Sequence, residues 1–255
     1  MILFHRQIGE HGKPLVILHG LFGSGDNWQT HAKNWSTHFQ VFIIDNRNHG
    51  HSPHDEEMTY DLMALDLKET LDKLNLTSIY LLGHSMGGKM AMRFAQLFPE
   101  IVEKLIVVDM GVKAYPPHHQ IIFEGLEAVN VSDCPSRKEA ESRLARFVSE
   151  ISTQQFLLKN LYWKTETTLA WRFHLDALKT NISHILSALP LVTCSVECLF
   201  LHGGKSNYVL VTDEEQIKEL FTHAQIACIE NAGHWVHVEA PTLFSQSVLN
   251  FLHNP

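Results

Sequence analysis

Four apolar residues, Ile79 to Leu82, run directly into Gly83-His84-Ser85-Met86-Gly87, after which Met90, Phe94, Ala95 and Phe98 recur at helical spacing up to Pro99. A chain that passes from strand to helix so abruptly needs small side chains on both sides of the turn. It also commits the fold, because a helix laid back over a sheet delivers the next strand parallel to the last. Five further apolar runs have buried-strand length: Leu15 to Leu18, Val41 to Ile44, Leu105 to Val108, Cys198 to Leu201 and Ile226 to Ile229. Between several of them lie helical patterns, such as Met63, Leu67, Leu71 and Leu74, and Pro241 opens the last one. The pattern predicts an α/β fold, a mostly parallel sheet flanked by helices.

The alternation breaks after Val108, and the next convincing strand is Cys198 to Leu201. The intervening residues read as helices throughout. Ser136 with Glu139 has a capping-box pattern, Leu144, Phe147 and Ile151 follow at helical spacing, and further helical stretches cover Gln154 to Tyr162 and Phe173 to Leu186. Pro116 and Pro117 on one side and Pro190 on the other bracket this part. The expected organisation is therefore a core of residues 1–111 and 191–255 carrying a helical cap insertion at 112–190. Beyond it, Thr212 and Glu215 are expected to cap another helix.

At 255 residues, with 45% hydrophobic and 19% charged residues, the chain suits one large globular domain and neither a disordered nor a low-complexity segment. Twenty Lys and Arg against 28 Asp and Glu leave a charge of −8, a poor match for nucleic acid or anionic lipid. The 18 His qualify this in mild acid, where full protonation would bring the charge to −8 + 18 = +10. Arg6 and Glu10 interrupt any secretory h-region, and no apolar stretch is long enough for a membrane span, so a cytoplasmic protein, monomer or homodimer, is expected. Cys134, Cys194, Cys198 and Cys228 form no CxxC pair and read as reduced structural thiols.

The chemistry centres on Ser85, which the tight turn lifts clear of the sheet edge as a candidate nucleophile. A serine hydroxyl needs a base within hydrogen-bond reach. His234, just past the run Ile226 to Ile229, is the best placed; His237 is the alternative, three residues on, where it should point elsewhere. The third member is an acid. The turn after Cys198 to Leu201 reads His202-Gly203-Gly204-Lys205-Ser206-Asn207 and holds no carboxylate. Asp109, at the end of the run beside the nucleophile strand, is favoured over Asp213, which sits in a helix cap. The oxyanion needs two aimed backbone N–H groups, one from Met86 and one from Leu21 in the loop His19-Gly20-Leu21-Phe22-Gly23. His19 reads as a brace for that loop.

Taken together, His19-Gly20, Asp45-x-Arg47-x-x-Gly50-x-Ser52, the turn at Ser85 and Gly233-His234 resemble the α/β-hydrolase superfamily over almost the whole chain. More narrowly, His19-Gly20-Leu21-Phe22-Gly23, Asp45-x-Arg47-Asn48-His49-Gly50, Gly83-His84-Ser85-Met86-Gly87-Gly88-Lys89 and Gly233-His234-Trp235-Val236-His237 are similar to YbfF-type esterases. That resemblance implies hydrolysis of small-molecule esters or acyl thioesters without a cofactor. It implies the acid role for Asp109, and it maps an unusual serine beside the histidine onto Ser206.

Other clusters carry less. His49, His51 and His54 crowd one loop at a spacing that fits no common metal motif, and no metal is expected. His118 and His119 read as solvated, and Lys89 and Arg93, one turn apart, as a solvated helix face. Phe123, Phe156, Trp163, Trp171 and Phe173 read as packing of the cap helices, with one or two available to an acyl pocket. A C–C bond hydrolase or perhydrolase would use the same triad, and a small-molecule receptor would have lost a member of it. Dehalogenases and epoxide hydrolases place Asp where Ser85 stands.

Overall fold

The structure is a computed structural model describing residues 1–253. Its centre is a seven-stranded sheet in the order β1 (His5–Ile8), β3 (Phe39–Ile44), β2 (Lys13–Leu18), β4 (Ile79–His84), β5 (Val102–Val108), β8 (Glu197–Gly203) and β9 (Ala224–Ile229). All pairings are parallel except that of β1 with β3. The six apolar runs are all strands of this sheet. In the runs other than that of edge strand β9, which is only partly buried, continuity follows from burial on both faces: Val16, Leu18, Leu105 and Val107 pack on one side, and Leu15, Ile17, Ile106 and Val108 on the other. Edge strand β1, short and half polar, gives no such signal.

Register matters for function. Leu18 pairs with Ile44 and Gly83, Gly83 with Val107, Val108 with Leu201, and Gly203 with Ile229, so the carboxyl ends of the central strands are level. The loops that leave them gather at one edge, where open α/β sheets place ligands. Motif Asp45-x-Arg47 ties these loops down. Asp45 accepts the Gly25 and His51 N–H groups at 2.6 and 2.9 Å, while buried Arg47 makes a two-point contact with Asp66 at 2.6 and 3.0 Å.

Between β5 and β8 lie helices Gln120–Val129, Arg137–Leu144, Ile151–Leu158, Leu175–Thr180 and Ile182–Ile185, together with a two-stranded hairpin, β6 (Leu161–Trp163) and β7 (Leu169–Trp171). The reading of this part as helical throughout is corrected by the hairpin. The stretch from Gln154 stops at Leu158, because Leu161-Tyr162-Trp163 is a bulky, strand-favouring triplet closed by a turn in which Lys164 N–H donates to Thr168 O at 2.8 Å. The stretch Phe173 to Leu186 splits at Asn181, whose amide donates to Glu56 O and Ala177 O and accepts the Met58 N–H. Ser136 does cap its helix through the Glu139 N–H. Thr212 does not cap the helix Glu214–Leu220; Asp213 holds the N-cap position, its carboxylate accepting the Leu210 N–H at 2.8 Å. All four cysteines are free, and Cys228, unlike the others, is exposed.

Candidate active site

The turn after β4 holds its serine in a conformation few residues adopt. Ser85 has φ +54° and ψ −121°, and a Cβ on Gly83 would come within 2.1 Å of Gly87 O, one on Gly87 within 2.4 Å of Leu18 O. Only glycine fits at those two positions. The ladder continues one residue past the strands: Ser85 N–H donates to Val108 O and Asp109 N–H to Leu201 O, each at 3.0 Å. Ser85 and Asp109 thus extend neighbouring strands as a fixed pair.

His234, from the loop after β9, lies between them. Its Nε2 is 3.0 Å from Ser85 Oγ and its Nδ1 2.6 Å from Asp109 Oδ2. Asp109 is fully buried, and its carboxylate also accepts the Gly203 N–H at 3.0 Å and the Ser206 hydroxyl at 2.5 Å. Ser206 therefore bonds to the acid and not to the imidazole beside which the family pattern put it. Asp213 stands apart from this chain, paired with Lys113 at 2.5 Å. His237 is buried and stacked on Trp28 with ring centroids 4.3 Å apart, and the hydrogen bond to Ser85 Oγ is made by His234.

Two features of the loop after β2 shape the other side. Phe22 N–H donates to His49 Nε2 at 3.1 Å and Gly23 N–H to Gly20 O at 2.9 Å, while His19 Nε2 accepts the Asn46 N–H at 3.0 Å. Leu21 is left facing a small cavity that Ser85 and Met86 also line. Met86 opens the helix Met86–Leu97, so its N–H is among the donors a helix start leaves unsatisfied.

Sequence reading missed three parts of the site. Tyr208 stacks on the His234 ring at 3.9 Å, and its hydroxyl meets His118 Nε2 at 2.8 Å. His84 donates from Nε2 to His234 O at 2.9 Å, fixing the backbone of the loop that carries the imidazole. A tyrosine in a loop and a histidine inside a glycine motif give no pattern from which these contacts could be read. The third is His119, whose sequence context suggests a solvated side chain but which lines the space beside Ser85. The main cavity has a volume of about 820 Å³, and Ser85, His119, Ile122, Phe156 and Trp235 are among its walls. Phe156 packs on Trp235 at 5.4 Å, whereas Trp163 is exposed.

Several imidazoles around the site are held neutral. Burial lowers His19 to about 4 and His49, His84 and His119 to about 3. His19 and His49 also accept backbone N–H bonds that a proton would break. The rise to +10 in mild acid therefore describes the unfolded chain and not the folded one. Between pH 6.5, where an unfolded histidine takes its proton, and about 4, the unfolded state binds more protons, so stability falls as pH falls. Unfolding at pH 5 should take up about three protons or more through these four groups alone. Urea unfolding midpoints that stay flat from pH 6.5 to 4.5 would contradict this.

The family described as alpha/beta hydrolase fold matches residues 13–178. A solved marine microorganism esterase superposes with a TM-score of 0.95 at 41% identity, over 98% of this chain and 99% of that one. Esterase YbfF of Escherichia coli strain K12 is 34% identical over 242 residues, 94% of this chain and 92% of that one. The sn-1-specific diacylglycerol lipase ABHD11 of Danio rerio is 40% identical over 249 residues, covering 94% and 78%. In this chain the serine turn follows β4, the fourth strand in chain order, at the carboxyl edge of a mostly parallel sheet. This chain belongs to the α/β-hydrolase family, in the branch that contains the YbfF-type esterases. Among the described residues, no helix is long and apolar enough to cross a membrane.

Proposed function

We propose that the chain hydrolyses carboxylic esters and acyl thioesters through an acyl-Ser85 intermediate. The observation that carries this reading is the continuous contact from Ser85 Oγ through His234 to buried Asp109 beside a cavity of about 820 Å³. Ser85 Oγ attacks the substrate carbonyl carbon while its proton passes to His234 Nε2. The carbonyl oxygen becomes an oxyanion facing the Leu21 and Met86 N–H groups. When the tetrahedral intermediate collapses, the bond to the alcohol or thiol breaks and the imidazolium returns the proton to that leaving group. A water then attacks the acyl-enzyme by the same route, giving the carboxylic acid and free Ser85. Asp109 keeps Nδ1 protonated, so that Nε2 is the basic nitrogen, and it stabilises the imidazolium.

Residues 112–190 form a cap in this reading and residues 1–111 and 191–255 the catalytic core. Support comes from the walls: His119, Ile122 and Phe156 belong to the segment between β5 and β8, whereas Ser85, Asp109, His234 and both oxyanion amides lie outside it. The cap sets which acyl or alcohol groups fit and leaves the chemistry to the core.

The test is release of p-nitrophenol from acetate, butyrate, octanoate and decanoate esters, alongside release of free thiol from the matching acyl-CoA esters. Turnover of esters in this series, with kcat/KM passing through a maximum as the chain fills the cavity, is the expected result. Ester turnover without thiol release would restrict the substrate to oxygen esters, and no turnover of either would end the proposal.

A further inference from the structure

Lys89 lies one helical turn beyond Ser85 and, against the sequence reading of a solvated face, its side chain is wholly buried. Its neighbour Arg93 is also largely buried, in contact with Asp61. Among the described residues, no carboxylate pairs with Lys89 within 4.0 Å. Its ammonium donates to Lys113 O at 2.7 Å and to Ser187 O, and it sits over the rings of Tyr115 and Tyr60 at 4.9 and 6.0 Å. Burial pulls the ammonium down to about 7. A buried cation without a counter-charge is expensive, and a hydrocarbon side chain would fill the same space more cheaply.

The two carbonyls belong to the two places where the chain leaves the core and returns to it. There the outgoing and returning backbones pair, Tyr115 N–H with Leu186 O at 2.8 Å and Leu189 N–H with Val112 O at 2.9 Å. The Tyr115 hydroxyl accepts the Gly111 N–H and donates to Tyr208 O at 2.7 Å, and Tyr208 is the residue stacked on His234. From these contacts we propose that Lys89 is a positioning residue, a clasp that locks both ends of the segment 113–187 to the helix behind Ser85 and so sets the cavity wall for longer substrates. The proposal rests on the esterase reading for its kinetic consequence and on geometry alone for the clasp.

The clasp acts on the wall and not on the Ser85–His234–Asp109 contact. An acetate ester, which needs little of the wall, should keep its kcat, while an octanoate ester should lose binding. For Lys89→Met, KM for p-nitrophenyl octanoate should rise about tenfold with kcat for the acetate changed by less than about threefold. Amide hydrogen exchange at Tyr115 and Leu189 should accelerate in the same variant. In Lys89→Ala, which leaves a gap the size of the missing chain, millimolar propylammonium should restore the octanoate KM, whereas propanol should not.

Unchanged exchange at Tyr115 and Leu189 with an unchanged octanoate-to-acetate ratio would overturn the clasp. So would an equal loss on both esters that propylammonium fails to reverse, since that is the signature of damaged folding. Should the wild type hydrolyse neither ester, the esterase reading fails, and hydrogen exchange with and without propylammonium still decides the clasp.

Discussion

Ser85→Ala is expected to lower kcat by ~10³ to 10⁶ and leave the fold intact. In the proposed mechanism the hydroxyl forms and breaks the acyl bond, whereas the turn is held by Gly83, Gly87 and the Ser85 N–H bond to Val108 O, none of which the substitution touches. Relief of the Ser85 conformation is not expected, because alanine at φ +54° is as crowded as serine. A fluorophosphonate should add its mass to the tryptic peptide containing Ser85 in the wild type and not in the variant. An adduct on any other residue, or activity within tenfold of wild type, would remove Ser85 from the nucleophile's role.

Asp109→Asn should cost nearly as much, by ~10³ or more in kcat/KM. An amide at this position can turn its oxygen or its NH₂ toward His234 Nδ1. The second choice leaves Nδ1 as acceptor and puts the proton on Nε2, where it cannot take another from Ser85. The buried site gives water no access to compensate. Ser206→Ala removes one neutral hydroxyl from the same carboxylate, so a loss of about tenfold or less is expected. Asp213→Asn should change little, since that carboxylate serves Lys113 and the Leu210 N–H. All three are compared as kcat/KM on one short-chain ester with circular dichroism checking the fold. A crippled Asp213→Asn beside an active Asp109→Asn would reverse the assignment of the acid.

The sequence makes the sheet legible because its inner strands are buried on both faces, which leaves uninterrupted apolar runs. The serine turn is equally legible, because steric exclusion at Gly83 and Gly87 writes itself into residue type. Elements held by tertiary contact leave no such trace. Strand β1 is recognisable only from its pairing with β3, and the β6–β7 hairpin lies among helices whose apolar spacing masks it. Lys89 and Arg93 are the sharpest case. Two cations a turn apart look like a wet face, and only the distant carbonyls of Lys113 and Ser187 and the carboxylate of Asp61 reveal that they are enclosed. Family resemblance places Ser206 beside the histidine, whereas its bond to Asp109 depends on the register of β5 against β8.

Ser85 and Asp109 are consecutive strand ends, separated by one helix and one strand, while the imidazole that joins them arrives from beyond residue 230 on the last strand of the sheet. During synthesis the first two groups therefore leave the ribosome more than a hundred residues ahead of their partner. Without β9 against β8 the serine has no imidazole beside it, and in the proposed mechanism it could not be acylated. In the proposed mechanism, hydrolytic competence therefore depends on the last strand of the sheet, and a chain cut short before it would lack the base.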